Sequence, residues 1–130
     1  MPHRTVVGAM IRGRRWSGAV ALLAVFVAAC GGDEQAGDAV DRGEVLFADN
    51  CAQCHGPEGD GSEAGPPLVH EIYEPGHHPD EAFQQAVAQG VSAHHWNFGD
   101  MAPIQGLEPD EVDDIVAYVR ELQRDAGIIE

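Results

Sequence analysis

Residues 51–55 read Cys-Ala-Gln-Cys-His and gather two thiols and an imidazole within about one helical turn. Thiolate and imidazole are metal ligands, and a thiolate is also a nucleophile. Such a cluster could therefore form a disulfide, a redox dithiol, a metal site or a covalent link to a cofactor. A disulfide or a thioredoxin-type dithiol has no use for His55, and no βαβ pattern surrounds the motif. A structural zinc site wants four ligands, commonly two such pairs. The chain has three cysteines, and the third, Cys30, stands alone.

The pattern C-x-x-C-H is the attachment signature of c-type haem. Cysteines three apart face the same way on a helical turn, so each sulfur reaches one vinyl group of a single porphyrin. His55 then falls below the iron and presents Nε2 as its proximal ligand. The surroundings carry more information than five residues can. Residues 43–68, GEVLFADNCAQCHGPEGDGSEAGPPL, resemble the small mono-haem (class I) cytochromes c. The resemblance covers about residues 40–124. It implies an all-α, cytochrome c-like domain with three main helices wrapped around one covalently attached haem c. In that family the haem segment follows a helix with a Gly-x-x-x-aromatic pattern, here Gly43 and Phe47. An aromatic of the last helix, here Tyr118, crosses that glycine. The Gly-Pro-x-Leu turn, here Gly65-Pro66-Pro67-Leu68, implies that the Pro66 carbonyl accepts the Nδ1–H of His55, fixing the ring and raising its basicity.

The family also implies a sixth iron ligand, a methionine from the loop between its last two helices. Met1 and Met10 precede the haem segment in a basic, apolar stretch, which leaves Met101 in Gly-Asp-Met-Ala-Pro, 46 residues after His55. Paired with His55 it would raise the potential and close the coordination sphere. His94 and His95, in HHWNFGDM, are the competing ligands and would give bis-His iron. Trp96 and Phe98 are expected at the haem edge or near a propionate, or as plain core packing. The HHW segment is no part of the general motif. With His70, His77 and His78 the pair makes a histidine set that could bind copper, although no further Cys or Met is available to it.

Helices must position these residues. Val40, Gly43, Phe47 and Cys51 share one helical face, predicting a helix from about Val40 to Cys51. Pro79-Asp80-Glu81 opens a second, with Pro at its first position and acids at the positive end of its dipole. Its inward face is Phe83, Ala86 and Val87, and Gly90 stops it. Glu108-Pro109-Asp110-Glu111 opens a third, whose stripe is Val112, Ile115, Val116, Val119 and Leu122. No strand pattern competes. About 85 residues make a small core, so the haem is expected to supply much of the apolar surface and the apoprotein to be largely unfolded.

The 130 residues suffice for one domain. Basic residues number seven, all arginine, and four of them precede residue 16. Gly18–Ala29, GAVALLAVFVAA, is an apolar run too short to span a bilayer comfortably. Residues 1–29 thus have the form of an export signal. Val27-Ala28-Ala29-Cys30 resembles the lipobox of bacterial lipoproteins, which implies cleavage before Cys30 and lipid on its thiol. Arg14-Arg15 is a faint twin-arginine hint, but the apolar residues expected after it do not follow closely, which favours the general secretory route. Residues 30–39, Gly-, Ala- and acid-rich, read as a flexible tether, and 40–126 as the cytochrome c domain. Without its first 29 residues the chain has three arginines against 22 acids, a formal charge of −19. That excludes nucleic-acid binding, which needs clustered Lys or Arg. It suits a partner with a basic docking face, a cytochrome, oxidase or dehydrogenase; acidity could equally serve solubility alone.

The expected activity is single-electron shuttling between membrane-associated redox partners of a respiratory chain, without catalysis. The expected location is extracytoplasmic, on a bacterial membrane through lipid on Cys30. The alternatives are a haem enzyme or a gas or redox sensor with an open or bis-His sixth site, and the haem subunit of a larger oxidase or dehydrogenase complex.

Overall fold

The structure, a computed structural model, describes residues 32–130. The expected leader and the Cys30 lipidation site lie outside the described residues. Four α-helices follow one another: α1 (Gly32–Asn50), the single turn α2 (Ala52–His55), α3 (Asp80–Gln89) and α4 (Pro109–Asp125), with a 3-10 turn at Glu71–Tyr73. The described residues contain no strand, and their only sheet-like pairing is an isolated bridge between Val91 and Met101. None of their helices is long and apolar enough to cross a membrane.

The core is the crossing of α1 and α4. Phe47, Cys51, Val112, Ile115, Val116 and Val119 are its buried apolar side chains. A Cβ on Gly43 would meet the Asp114 backbone carbon at 2.6 Å and Tyr118 Cβ at 2.9 Å. Glycine is therefore required for the helices to approach this closely. Phe47 and Tyr118 pack with ring centroids 5.5 Å apart. Beside them Arg42 donates to both carboxylate oxygens of Asp114, at 2.7 and 2.9 Å.

Three expectations change. α1 starts at Gly32, eight residues before the predicted Val40. Residues 32–39 are helical where their composition reads as a flexible tether. Extending an existing helix backwards costs little per residue once its nucleus is formed. No core is needed for this, and residues 34–38 stay exposed. Pro79 is the N-cap of α3, in extended backbone, rather than its first helical residue. The stripe of α4 continues not through Leu122, which is half-buried, but through Arg120 and Gln123, both buried.

Polar groups sit in that core because every one of them is partnered. Arg120 donates through Nη1 to the Tyr73 carbonyl at 2.6 Å and to Gln123 Oε1 at 2.7 Å. Its Nη2 reaches the His78 carbonyl at 2.7 Å, and its Nε reaches Asp80 Oδ1 at 2.9 Å. Gln123 Nε2 donates to the carbonyls of Leu68 and Tyr73. One guanidinium and one amide thus fasten the strandless segment 68–80 onto α4. The guanidinium also stacks 5.0 Å from the centre of the Phe83 ring, drawing in α3.

Candidate haem site

α1 ends at Asn50, and α2 carries Cys54 and His55 directly off the packed helix. The chain then loops back. Gly61 N–H bonds to the His55 carbonyl at 2.7 Å, and the N–H groups of Leu68 and Val69 converge on the Gly59 carbonyl at 2.7 and 2.9 Å. Ser62 Oγ donates to the Cys54 carbonyl at 2.6 Å. This turn brings Pro66 against His55, whose Nδ1 lies 2.8 Å from the Pro66 carbonyl. A carbonyl only accepts, so Nδ1 carries the proton and Nε2 is left as the free ligand atom.

His55 opens onto a cavity of about 530 Å³, within the ordinary range for ligand sites. Cys51, Pro66, Met101, Trp96 and Phe98 line it too, with Phe83, Ala86 and Val87 of α3 and Val112 and Ile115 of α4. The inward face of α3 is the predicted one, yet no residue of α3 is buried. That face lines the cavity, while Phe83 and Gln84 also touch α4.

Met101 comes from the loop between α3 and α4. Gly90 ends α3 at φ 76°, a left-handed conformation that favours glycine. A Cβ there would also strike the Met101 carbonyl and come within 3.1 Å of Pro103 Cδ. Val91 and Met101 then exchange two backbone hydrogen bonds of 2.9 Å. They close a loop that holds His94, His95, Trp96 and Phe98. Asp100 Oδ1 braces it by accepting the Ala93 N–H at 2.9 Å.

The cysteines differ. Cys51 is buried and lines the cavity; Cys54 is exposed and is not among the lining residues. No disulfide joins them. Burial, with the neighbouring Cys54, pushes the Cys51 thiol up to about 11. A C-x-x-C oxidoreductase needs the opposite, a depressed thiol pKa.

The residues fit a haem. The cavity is apolar in its walls, an imidazole is pinned with one nitrogen free, and a thioether lines the same space. The Trp96 indole nitrogen is buried without a hydrogen-bond partner. Burial pushes the Tyr73 phenol up and the nearby indole N–H opposes the shift, but the two do not meet at hydrogen-bond geometry. An orphaned buried donor at the wall suits a carboxylate such as a propionate. His78, His94 and His95 also line the cavity. The sequence reading offered His94 and His95 as competing ligands and Trp96 at the haem edge or in plain core packing; all three line this wall. It did not find Arg120 and Gln123, and no short-range pattern marks them, because apart from each other their partners lie 40 to 55 residues away along the chain.

No curated protein and no solved structure matches the chain. The family model for Cytochrome c matches residues 40–123, well over half of the sequence. With its all-α fold around an imidazole-bearing cavity and its C-x-x-C-H turn, the chain belongs to the cytochrome c family, and with that family goes one covalently bound haem c and a role in electron transfer.

Proposed function

We propose that this cytochrome c uses His55 and Met101 as its axial pair and shuttles single electrons between membrane-associated partners of a respiratory chain. Bound haem c supplies an iron that gains and loses one electron without breaking bonds. The observation that carries the reading is His55 held through Nδ1 by Pro66 at 2.8 Å, with Nε2 free in a cavity that Met101 also lines. The protein's task is to keep both ligands in place in both oxidation states. The Pro66 carbonyl does so for the imidazole, and the Val91–Met101 bridge does so for the methionine backbone. Cys51 and Cys54 would hold the ring by thioethers, and Trp96 would offer it a donor. The visible spectrum of the mature protein tests this. A weak ferric band at the red edge, from sulfur-to-iron charge transfer, marks methionine ligation. Met101→Ala keeps the haem, loses the band and lowers the potential. A variant with unchanged spectrum and potential overturns the assignment.

A second reading rests on His94 and His95 lining the same cavity. Either on the iron gives a bis-imidazole centre of lower potential, and an open sixth position gives an enzyme or sensor. High-spin ferric features would mark the latter.

The docking partner in this proposal presents a basic face. Among the described residues all three arginines are engaged in ion pairs, with Asp114, Asp80 and Glu121. The remaining carboxylates therefore set the sign of the field, and electron-transfer rates to such a partner fall as salt rises. We place the protein outside the cytoplasm, anchored by lipid on Cys30, where confinement with its partners raises their effective concentration. Cys30→Ser moves it to the soluble fraction; persistent membrane attachment rejects the anchor.

A further inference from the structure

We propose that His77, His78 and His95 form a binding site for a borderline divalent cation of the Zn²⁺ or Cu²⁺ class, separate from the haem iron. One ligand nitrogen from each lies within 4.8 Å of the other two. His77 Nε2 and His95 Nε2 are 3.2 Å apart. Imidazole nitrogens bound to zinc at about 2.0–2.1 Å in a tetrahedron are separated by about 3.3 Å, so this pair already has the spacing of one edge. The third nitrogen, within 4.8 Å of both, must close on that edge when an ion binds. His77 and His95 are exposed, which gives an ion a direct path from solvent.

The supporting hydrogen bonds are those of a metal site. His78 Nδ1 lies 2.6 Å from the Ile72 carbonyl, so it carries the proton and Nε2 is free to ligate. His94 Nδ1 stands 2.8 Å from the Ser92 carbonyl, with the same consequence. Its ring centroid is 4.2 Å from that of His95, so it stands beside the three without belonging to the cluster. An all-imidazole set with no thiolate or thioether selects Zn²⁺, Cu²⁺ or Ni²⁺ over the hard cations Mg²⁺ and Ca²⁺.

The position gives the site a function. His77 and His78 stand on the segment that Arg120 clamps to α4, where the His78 carbonyl accepts from Nη2 at 2.7 Å. His95 stands on the loop closed by the Val91–Met101 bridge. A bound cation therefore ties the loop that carries Met101 to the clamped segment, beside the cavity. Binding to the folded state alone stabilises it, and the loop bearing the distal wall is the part held.

The test uses the mature, haem-loaded protein and Zn²⁺ as a redox-silent probe. Calorimetric titration at neutral pH is expected to show one Zn²⁺ per chain, unaffected by excess Mg²⁺, with a rise in thermal midpoint. The variant His77→Ala, at the one imidazole of the three that does not line the haem cavity, is expected to lose both while keeping the visible spectrum of the parent. Absence of Zn²⁺ binding to the parent overturns the proposal. So does binding by the variant as tight as the parent's, which would assign the ion to surface carboxylates. A visible spectrum altered in the variant also overturns it, since His77 would then be serving the iron.

Discussion

The two walls of the haem cavity are built on different principles. His55 stands one turn from a helix that is locked by buried side chains on both flanks, and its ring is held by a loop with backbone bonds at 56–69. Met101 stands in a loop between helices, held by two backbone bonds to Val91, a third from Ile104 to Val87 and one exposed carboxylate. Phe47 and Val119, behind the first wall, are completely buried, whereas Phe98, in the second, is 42% exposed. A wall made of packed helices is positioned by hydrophobic burial and resists displacement. A wall made of loop is positioned by a few local bonds and opens at lower cost. An electron carrier needs its covalent anchor on the first kind of wall. The second kind is where ligand exchange, partner docking and, on the inference above, a cation would act.

The contrast can be broken by substitution. His55→Ala has the largest expected effect. It removes the ligand on the rigid wall, and holoprotein fails to accumulate, as haem-stained gels and absorbance would show. The same experiment without haem attachment leaves the cavity face of α3 uncovered, and circular dichroism is expected to show a largely unfolded apoprotein. Arg120→Met comes next. It strips the donor from the His78 carbonyl and from Gln123 Oε1, and one of two from the Tyr73 carbonyl, and unsatisfied buried acceptors cost about 1–3 kcal/mol each. Denaturant unfolding of the holoprotein should register a loss of about 3 kcal/mol. Gly43→Ala forces α1 and α4 apart at the Asp114 backbone, with an expected cost of about 1–3 kcal/mol by the same measurement. Asp100→Ala, on the loop wall, removes one exposed bond to the Ala93 N–H and should cost about 1 kcal/mol or less. A loss at Asp100 equal to that at Arg120 would erase the distinction between the walls.

Much of this was legible in the residues. The apolar spacing placed α4 and its start at Glu108-Pro109, where the Glu108 N–H is capped by Glu111 Oε2 at 2.8 Å. Gly90 was read as the stop of α3, and its backbone has the left-handed φ that the stop requires. Gly43, Phe47 and Tyr118 were placed together by resemblance, and they meet at the crossing of α1 and α4. The extension of α1 back to Gly32 was not legible, because residues 32–39 carry no apolar stripe and nothing packs on them. Nor was the exposure of Cys54 beside a buried Cys51, since a spacing of three fixes direction along a turn but not what lies opposite it.

By itself the sequence determined the chemistry: C-x-x-C-H within its surrounding segment specifies a covalently held haem, and local helix periodicity specifies the elements that surround it. These are short-range properties, set by side-chain type and by spacing of a few residues. Only the tertiary structure decided that Arg120 and Gln123 hold the 68–80 segment, and that His77 and His78 come to face His94 and His95. Those outcomes depend on which carbonyls and rings converge when distant stretches fold onto one helix pair, and no local spacing encodes that meeting.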